Sequence, residues 1–176
     1  MRWFFEKDGT VSGFRVAIAI AVFGIVFVVL GALIFQVEQA NARQPFNIDV
    51  PEGVTLLTID DSRYDTGARY VFYTSQRTPE DIAEYYDRKL AEFQNIPVEE
   101  ATRERCRRIP RDGTIEGYQP GNGTLPYYWT CLFDNTRLFD QSTIIRIYPG
   151  QRNDATGENF EGLTRIDYEQ FWQAGD

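Results

Sequence analysis

Nucleophilic catalysis needs a serine, threonine, cysteine or lysine with a base beside it. The chain offers few such groups: among its 176 residues there is no histidine, the lysines are Lys7 and Lys89, and the cysteines are Cys106 and Cys131. Neither GxSxG nor SxxK occurs. Without histidine the commonest general base, metal ligand and haem ligand are all missing. Neither cysteine stands in a CxxC or CxxCH run, which leaves thioredoxin-like, zinc-ribbon and c-type haem chemistry without a signature.

Carboxylates are plentiful, with Asp60, Asp61 and Asp65 in one cluster and Glu99 and Glu100 in another. A glycosidase-type acid and base would be two such groups facing each other across about 5–10 Å. An acidic, solvated surface accounts for them more simply. The Asp60, Asp61 and Asp65 loop also has the oxygen ligands that calcium prefers. The stretch Asp154 to Glu158 resembles a calcium loop superficially. With Gly157 in the sixth position, however, Arg152 falls in the first and Leu163 in the twelfth, where acids are required. GxGxxG and GxxxxGK[ST] are absent, so nucleotide binding has no support. The expectation is therefore no catalytic residue, no cofactor and no metal.

One basic cluster stands out: Arg103, Arg105, Arg107, Arg108 and Arg111 around Cys106. Guanidinium forks suit carboxylates and phosphates, so this run is the candidate patch for an anionic partner. Pairing with its neighbours Glu99, Glu100 and Glu104 is the competing reading. Asn122, Gly123 and Thr124 match a glycosylation acceptor but read equally as a turn.

The elements that must position these residues begin with a single hydrophobic run. Residues 14–35 read FRVAIAIAVFGIVFVVLGALIF, whose only charge is Arg15 near the start. At 1.5 Å per residue this run spans the ~30 Å hydrocarbon core of a bilayer. Flanking cations are Arg2, Lys7 and Arg15 before and within it, and Arg43 after it. The positive-inside rule then puts the N-terminus in the cytoplasm and the rest outside the cell membrane. Ala40 and Ala42 would suit signal-peptide cleavage, but the run is longer than the 7–15 residues of an h-region, which favours an uncleaved anchor. Ala17, Ala21, Gly24 and Gly31 share one helical face, a seam for another membrane helix or for a second copy.

The formal net charge of −8 sits almost wholly beyond the anchor, so the polar part should be repelled by nucleic acid. Outside the cytoplasm Cys106 and Cys131 are expected to form a disulfide, and its loop of about 25 residues would contribute roughly 3 kcal/mol. Beyond a 1–13 cytoplasmic arm and the 14–35 helix, residues 36–53 read as a stalk because Pro45 and Pro51 interrupt any period. Residues 54–176 follow as one domain.

In that domain residues 54–59, 69–74, 127–133, 143–148 and 163–172 have strand composition, the first two as a hairpin. Thr78, Pro79, Glu80 and Asp81 open a helix: a capping threonine, proline in the first turn, and acids against the positive helix end. Ile82, Tyr85, Tyr86, Leu90 and Phe93 recur at helical spacing up to Gln94. The expected fold is one N-terminal transmembrane α-helix followed by a small α+β extracytoplasmic domain, an antiparallel sheet with one amphipathic helix packed on a face. The expected role is that of a non-catalytic, single-pass accessory or structural subunit of a larger membrane complex. Its partners would be the lipid bilayer and an integral-membrane protein or a second copy. A membrane-tethered ligand-binding module and a membrane-anchored carboxylate-dependent hydrolase are the alternatives.

Overall fold

The computed structural model describes residues 13–95, 105–136 and 140–174. The chain forms two units, Met1–Asn41 and Ala42–Asp176. The first is built on helix α1, Gly13–Ala42, which is long and apolar enough to cross a membrane. Ala17, Ala21, Gly24 and Gly31 all lie exposed on it. The helix outlasts the hydrophobic run by seven residues, because Gln36 to Ala42 are mostly good helix formers and the first proline comes only at position 45.

Among the described residues, the second unit is a six-stranded, wholly antiparallel, curled sheet with one α-helix. Strand β1 is Val54–Asp60, β2 Ala68–Ser75, β3 Arg107–Ile109, β4 Tyr128–Asp134, β5 Gln141–Pro149 and β8 Thr164–Trp172. Their order is β1-β2-β8-β5-β4-β3. The expected hairpin is present: β1 pairs with β2 across a turn that holds a short 3-10 helix, Tyr64–Thr66, and Gly67 in the left-handed conformation. The last strand, β8, lies between β2 and β5 and so joins the β1–β2 hairpin to the β5, β4 and β3 strands. A small hairpin, β6 (Arg152–Asn153) with β7 (Glu158–Asn159), fills the β5–β8 connection. Its two-residue strands are too short for a period to register in sequence.

Strand β8 shows why the sheet has two unlike faces. Thr164, Ile166, Tyr168, Gln170 and Trp172 are buried, while Arg165, Asp167, Glu169 and Phe171 point the other way. The same alternation puts Ile145 and Ile147 of β5 and Cys131 and Phe133 of β4 on the core face. Helix α2, Pro79–Phe93, covers that face over β4 and β5 through Ile82, Tyr86 and Leu90. Each buried side chain of this size contributes about 1.5–3 kcal/mol. Phe93 meets Phe133 edge-on at 5.8 Å, and the buried hydroxyls of Tyr86 and Tyr168 lie 2.5 Å apart, each the other's partner. Thr78 caps α2 by accepting from the Asp81 N–H at 3.2 Å. Thr78→Ala should therefore lower the unfolding free energy by about 1 kcal/mol in urea titrations.

The remainder of the core face is crossed by residues 44–48, part of the span expected to be stalk. Gln141 Nε2 donates to the Gln44 carbonyl at 2.8 Å, and Thr143 Oγ1 and Gln170 Nε2 both donate to the Phe46 carbonyl. Tyr168 reaches the Ile48 carbonyl at 3.5 Å. Gln141, Thr143 and Gln170 are buried polar residues. Main-chain carbonyls of this strap supply the acceptors that such burial demands.

Candidate functional site

The sheet's second face is left open by the helix. Its rows follow from the strand register. Phe72 of β2, Asp167 of β8, Arg146 of β5, Thr130 of β4 and Arg107 of β3 form one row, and Tyr70, Glu169, Ile144 and Leu132 form the next. Leu132 is 50% exposed and Ile109, on the same face of β3, 38%. Two residues further along, Thr74, Arg165 and Tyr148 make a third row.

Across these rows the polar groups are bonded diagonally. Arg146 pairs with Glu169, and the Tyr148 hydroxyl donates to Asp167 Oδ2 at 2.7 Å. Arg165 Nη2 stands 3.9 Å from Asp167 Oδ1 and its guanidinium lies 4.4 Å over the Phe160 ring. Arg165 Nε and Asp167 Oδ1 are buried without a hydrogen-bond partner. Burial holds the Asp167 carboxyl above its ordinary range, against the opposing pull of Tyr148 and Arg165. Burial and then the Asp167 charge likewise raise the Tyr148 phenol.

The sign of the Asp167 effect follows from linkage. A carboxyl raised on folding binds its proton more tightly in the native state, so its penalty is absent below the unfolded value near 3.9 and grows as pH rises through the native one. Asp167→Asn keeps an acceptor for Tyr148 and removes that penalty. The variant should unfold at higher urea than the parent at pH 7, and the difference should vanish near pH 3.

The residues singled out in sequence are dispersed. Cys106 and Cys131 are joined as a disulfide, with Cα atoms 4.4 Å apart. Arg103 lies outside the described residues, as do Glu99, Glu100 and Glu104. The strand alternation of β3 sends Arg107 to the open face and Arg108 to the other. Arg108 donates to the carbonyls of Pro110, Arg111 and Gly113 and stacks 4.1 Å over Tyr127, ordering the following loop. The Tyr127 phenol, donating to Glu80 at 2.8 Å, is pushed up to about 12 by burial and then by that carboxylate. Arg105 lies 3.8 Å from Asp87, whose other oxygen accepts from the Arg105 and Cys106 main-chain N–H groups. Arg111 is exposed.

Asp60 accepts from the Ser62 N–H and Asp61 pairs with Arg69 at 3.0 Å, so the first acidic cluster stabilises its own turn. In the stretch once compared with a calcium loop, Asn153 accepts from the Ala155 and Thr156 N–H groups and Arg152 pairs with Asp154, closing the β6–β7 hairpin. Among the described residues no group of three or more Asp, Glu, His or Cys gathers as metal ligands would.

The Arg146, Tyr148, Arg165, Asp167 and Glu169 network was not singled out from sequence. The alternation of residues 163–172 places Arg165, Asp167 and Glu169 on one face. Their partners on β5 depend on a register between strands that nothing local specifies.

Fold and site together define a curled antiparallel α+β domain following a long apolar helix. The chain matches no protein-family model, no curated protein and no solved structure.

Proposed function

We propose that this protein is a non-catalytic, single-pass membrane subunit whose β-domain, outside the cytoplasm, docks against an integral-membrane partner through the open face of its sheet. That face is the observation that carries the reading. It presents Tyr70, Phe72, Ile144, Leu132, Ile109 and Phe171, whereas a sheet face built only to meet water alternates to polar residues. Its central charges, Arg146 and Glu169, are already paired, which lowers the cost of removing them from water beneath a partner. Apolar residues beside a fixed charge pair, with Leu132 and Ile109 exposed, resemble the centre of a protein interface.

The flanking cations support a cytoplasmic N-terminus, and the disulfide supports an oxidising compartment for the domain. The small-residue face of α1 suits close approach by a partner helix.

The test is purification of the full chain from its native membrane in mild detergent, as wild type and as Leu132→Glu. A stoichiometric membrane protein that accompanies the wild type and leaves the variant supports the proposal, provided the variant retains its disulfide and circular dichroism. Migration of the wild type as a lone monomer overturns it. A second reading, a tethered ligand-binding module, is favoured by one separate feature, the cavity at the end of the open face.

A further inference from the structure

Where β5 and β8 approach the β6–β7 hairpin, a cavity of about 250 Å³ opens between the sheet and the loop of residues 121–125. Its walls are fixed by main chain. Asp154 N–H donates to the Gly121 carbonyl at 2.9 Å, Gly123 N–H to the Arg152 carbonyl at 3.2 Å, and Asn122 bridges to Asn153. A Cβ on Gly123 would stand 2.9 Å from Asn153 Nδ2, and one on Gly150 only 2.0 Å from the Phe160 carbonyl oxygen. Glycine at these two positions is what lets loop and hairpin close on the sheet.

The lining joins an apolar wall, Leu125 and Phe160, to the polar side chains of Tyr148, Asn153, Glu158 and Arg165. Arg165 brings to this lining a guanidinium stacked on Phe160, with its Nε and the Asp167 Oδ1 behind it buried without a hydrogen-bond partner. A ligand in this lining must accept from the Arg165 guanidinium and donate to the Glu158 carboxylate. A hydroxyl does so, whereas a carboxylate or phosphate only accepts and would meet Glu158 in the lining. The volume lies just below the usual range for small-molecule pockets, about 300–1,000 Å³, which leaves room for one ring and no more.

We infer that this cavity binds a single sugar ring, its hydroxyls facing Arg165, Asn153 and Glu158 and its C–H face against Leu125 and Phe160. The site sits at the end of the docking face proposed above, on its third row, and does not require a partner chain.

The test uses the full chain in a detergent without a sugar headgroup, titrated with D-glucose, N-acetyl-D-glucosamine and the N-acetylglucosamine trimer, with sodium acetate and sodium phosphate as an anion arm. Saturation-transfer NMR reads the bound sugars and acetate, and phosphorus-31 line broadening reads phosphate. The expected result is saturable binding of at least one sugar, weakened tenfold or more by Arg165→Lys, which loses the guanidinium fork, and by Leu125→Trp, which fills the cavity. If Arg165→Lys fails to fold, the loop substitution Leu125→Trp alone decides. Tighter binding of the trimer identifies a glycan chain as the source of the ring, and equal binding identifies a free sugar. The inference is overturned if no sugar saturates, if only acetate or phosphate does, or if sugar binding survives the folded variants.

Discussion

Replacing Cys106 and Cys131 together by alanine should lower the unfolding free energy of the β-domain by about 3 kcal/mol. The bond closes a loop with a sequence separation of 25, and opening it restores to the unfolded chain the freedom that the cross-link removes. Both cysteines are buried, so their replacement also trades two packed sulfurs for smaller methyl groups. The loss should be felt first at β3. That strand is only three residues long, it forms the edge of the sheet, and the disulfide fastens the residue before it to β4. Urea unfolding of the wild type with and without dithiothreitol measures the same quantity without mutation. A midpoint indifferent to reductant would contradict the expectation.

The second large effect concerns the strap. Thr143→Val with Gln170→Leu keeps side-chain volume nearly constant and removes both donors to the Phe46 carbonyl, along with the Gln170 contact to Asn47 Oδ1 at 3.1 Å. An acceptor left without a donor in a part-buried site costs about 1–3 kcal/mol. The strap should detach before the sheet does, because helix and sheet remain joined through Ile82, Tyr86, Leu90 and Phe133. Trypsin cutting after Arg43 reads that detachment directly. The double variant should be cleaved there faster than the wild type at urea concentrations where its circular dichroism is still native. Equal rates would show that the carbonyl contacts do not hold the strap.

What was legible in the sequence and what was not divide along physical lines. Helix α2 was readable because its start is a local matter, settled by Thr78 and Pro79, and its stripe repeats at a fixed period. Strand β8 was readable because nine residues alternate without a break. The strap was not. Gln141, Thr143 and Gln170 occupy core-facing positions with polar side chains, and their partners lie 97, 97 and 124 residues away. The end of α1 lies beyond the expected 14–35 membrane span because the hydrophobic run ends at Phe35 while the backbone propensity for helix does not. The arginine run looked like one surface because a linear reading ignores the two-residue alternation that separates Arg107 from Arg108. The open-face network was hidden for a similar reason. Tyr148 and Asp167 are 19 residues apart and meet only through the pairing of β5 with β8.

The strap also has a mechanical meaning. Helix α1 ends at Ala42, and Gln44 is already held by the sheet, so a single residue, Arg43, separates the last helical residue from the first clamped one. The clamps at positions 44, 46 and 48 follow one another along an extended chain and end on β5 and β8, the two strands at the middle of the sheet. A force on the main chain at Gln44 therefore meets the centre of the β-domain, with the load shared across the clamps.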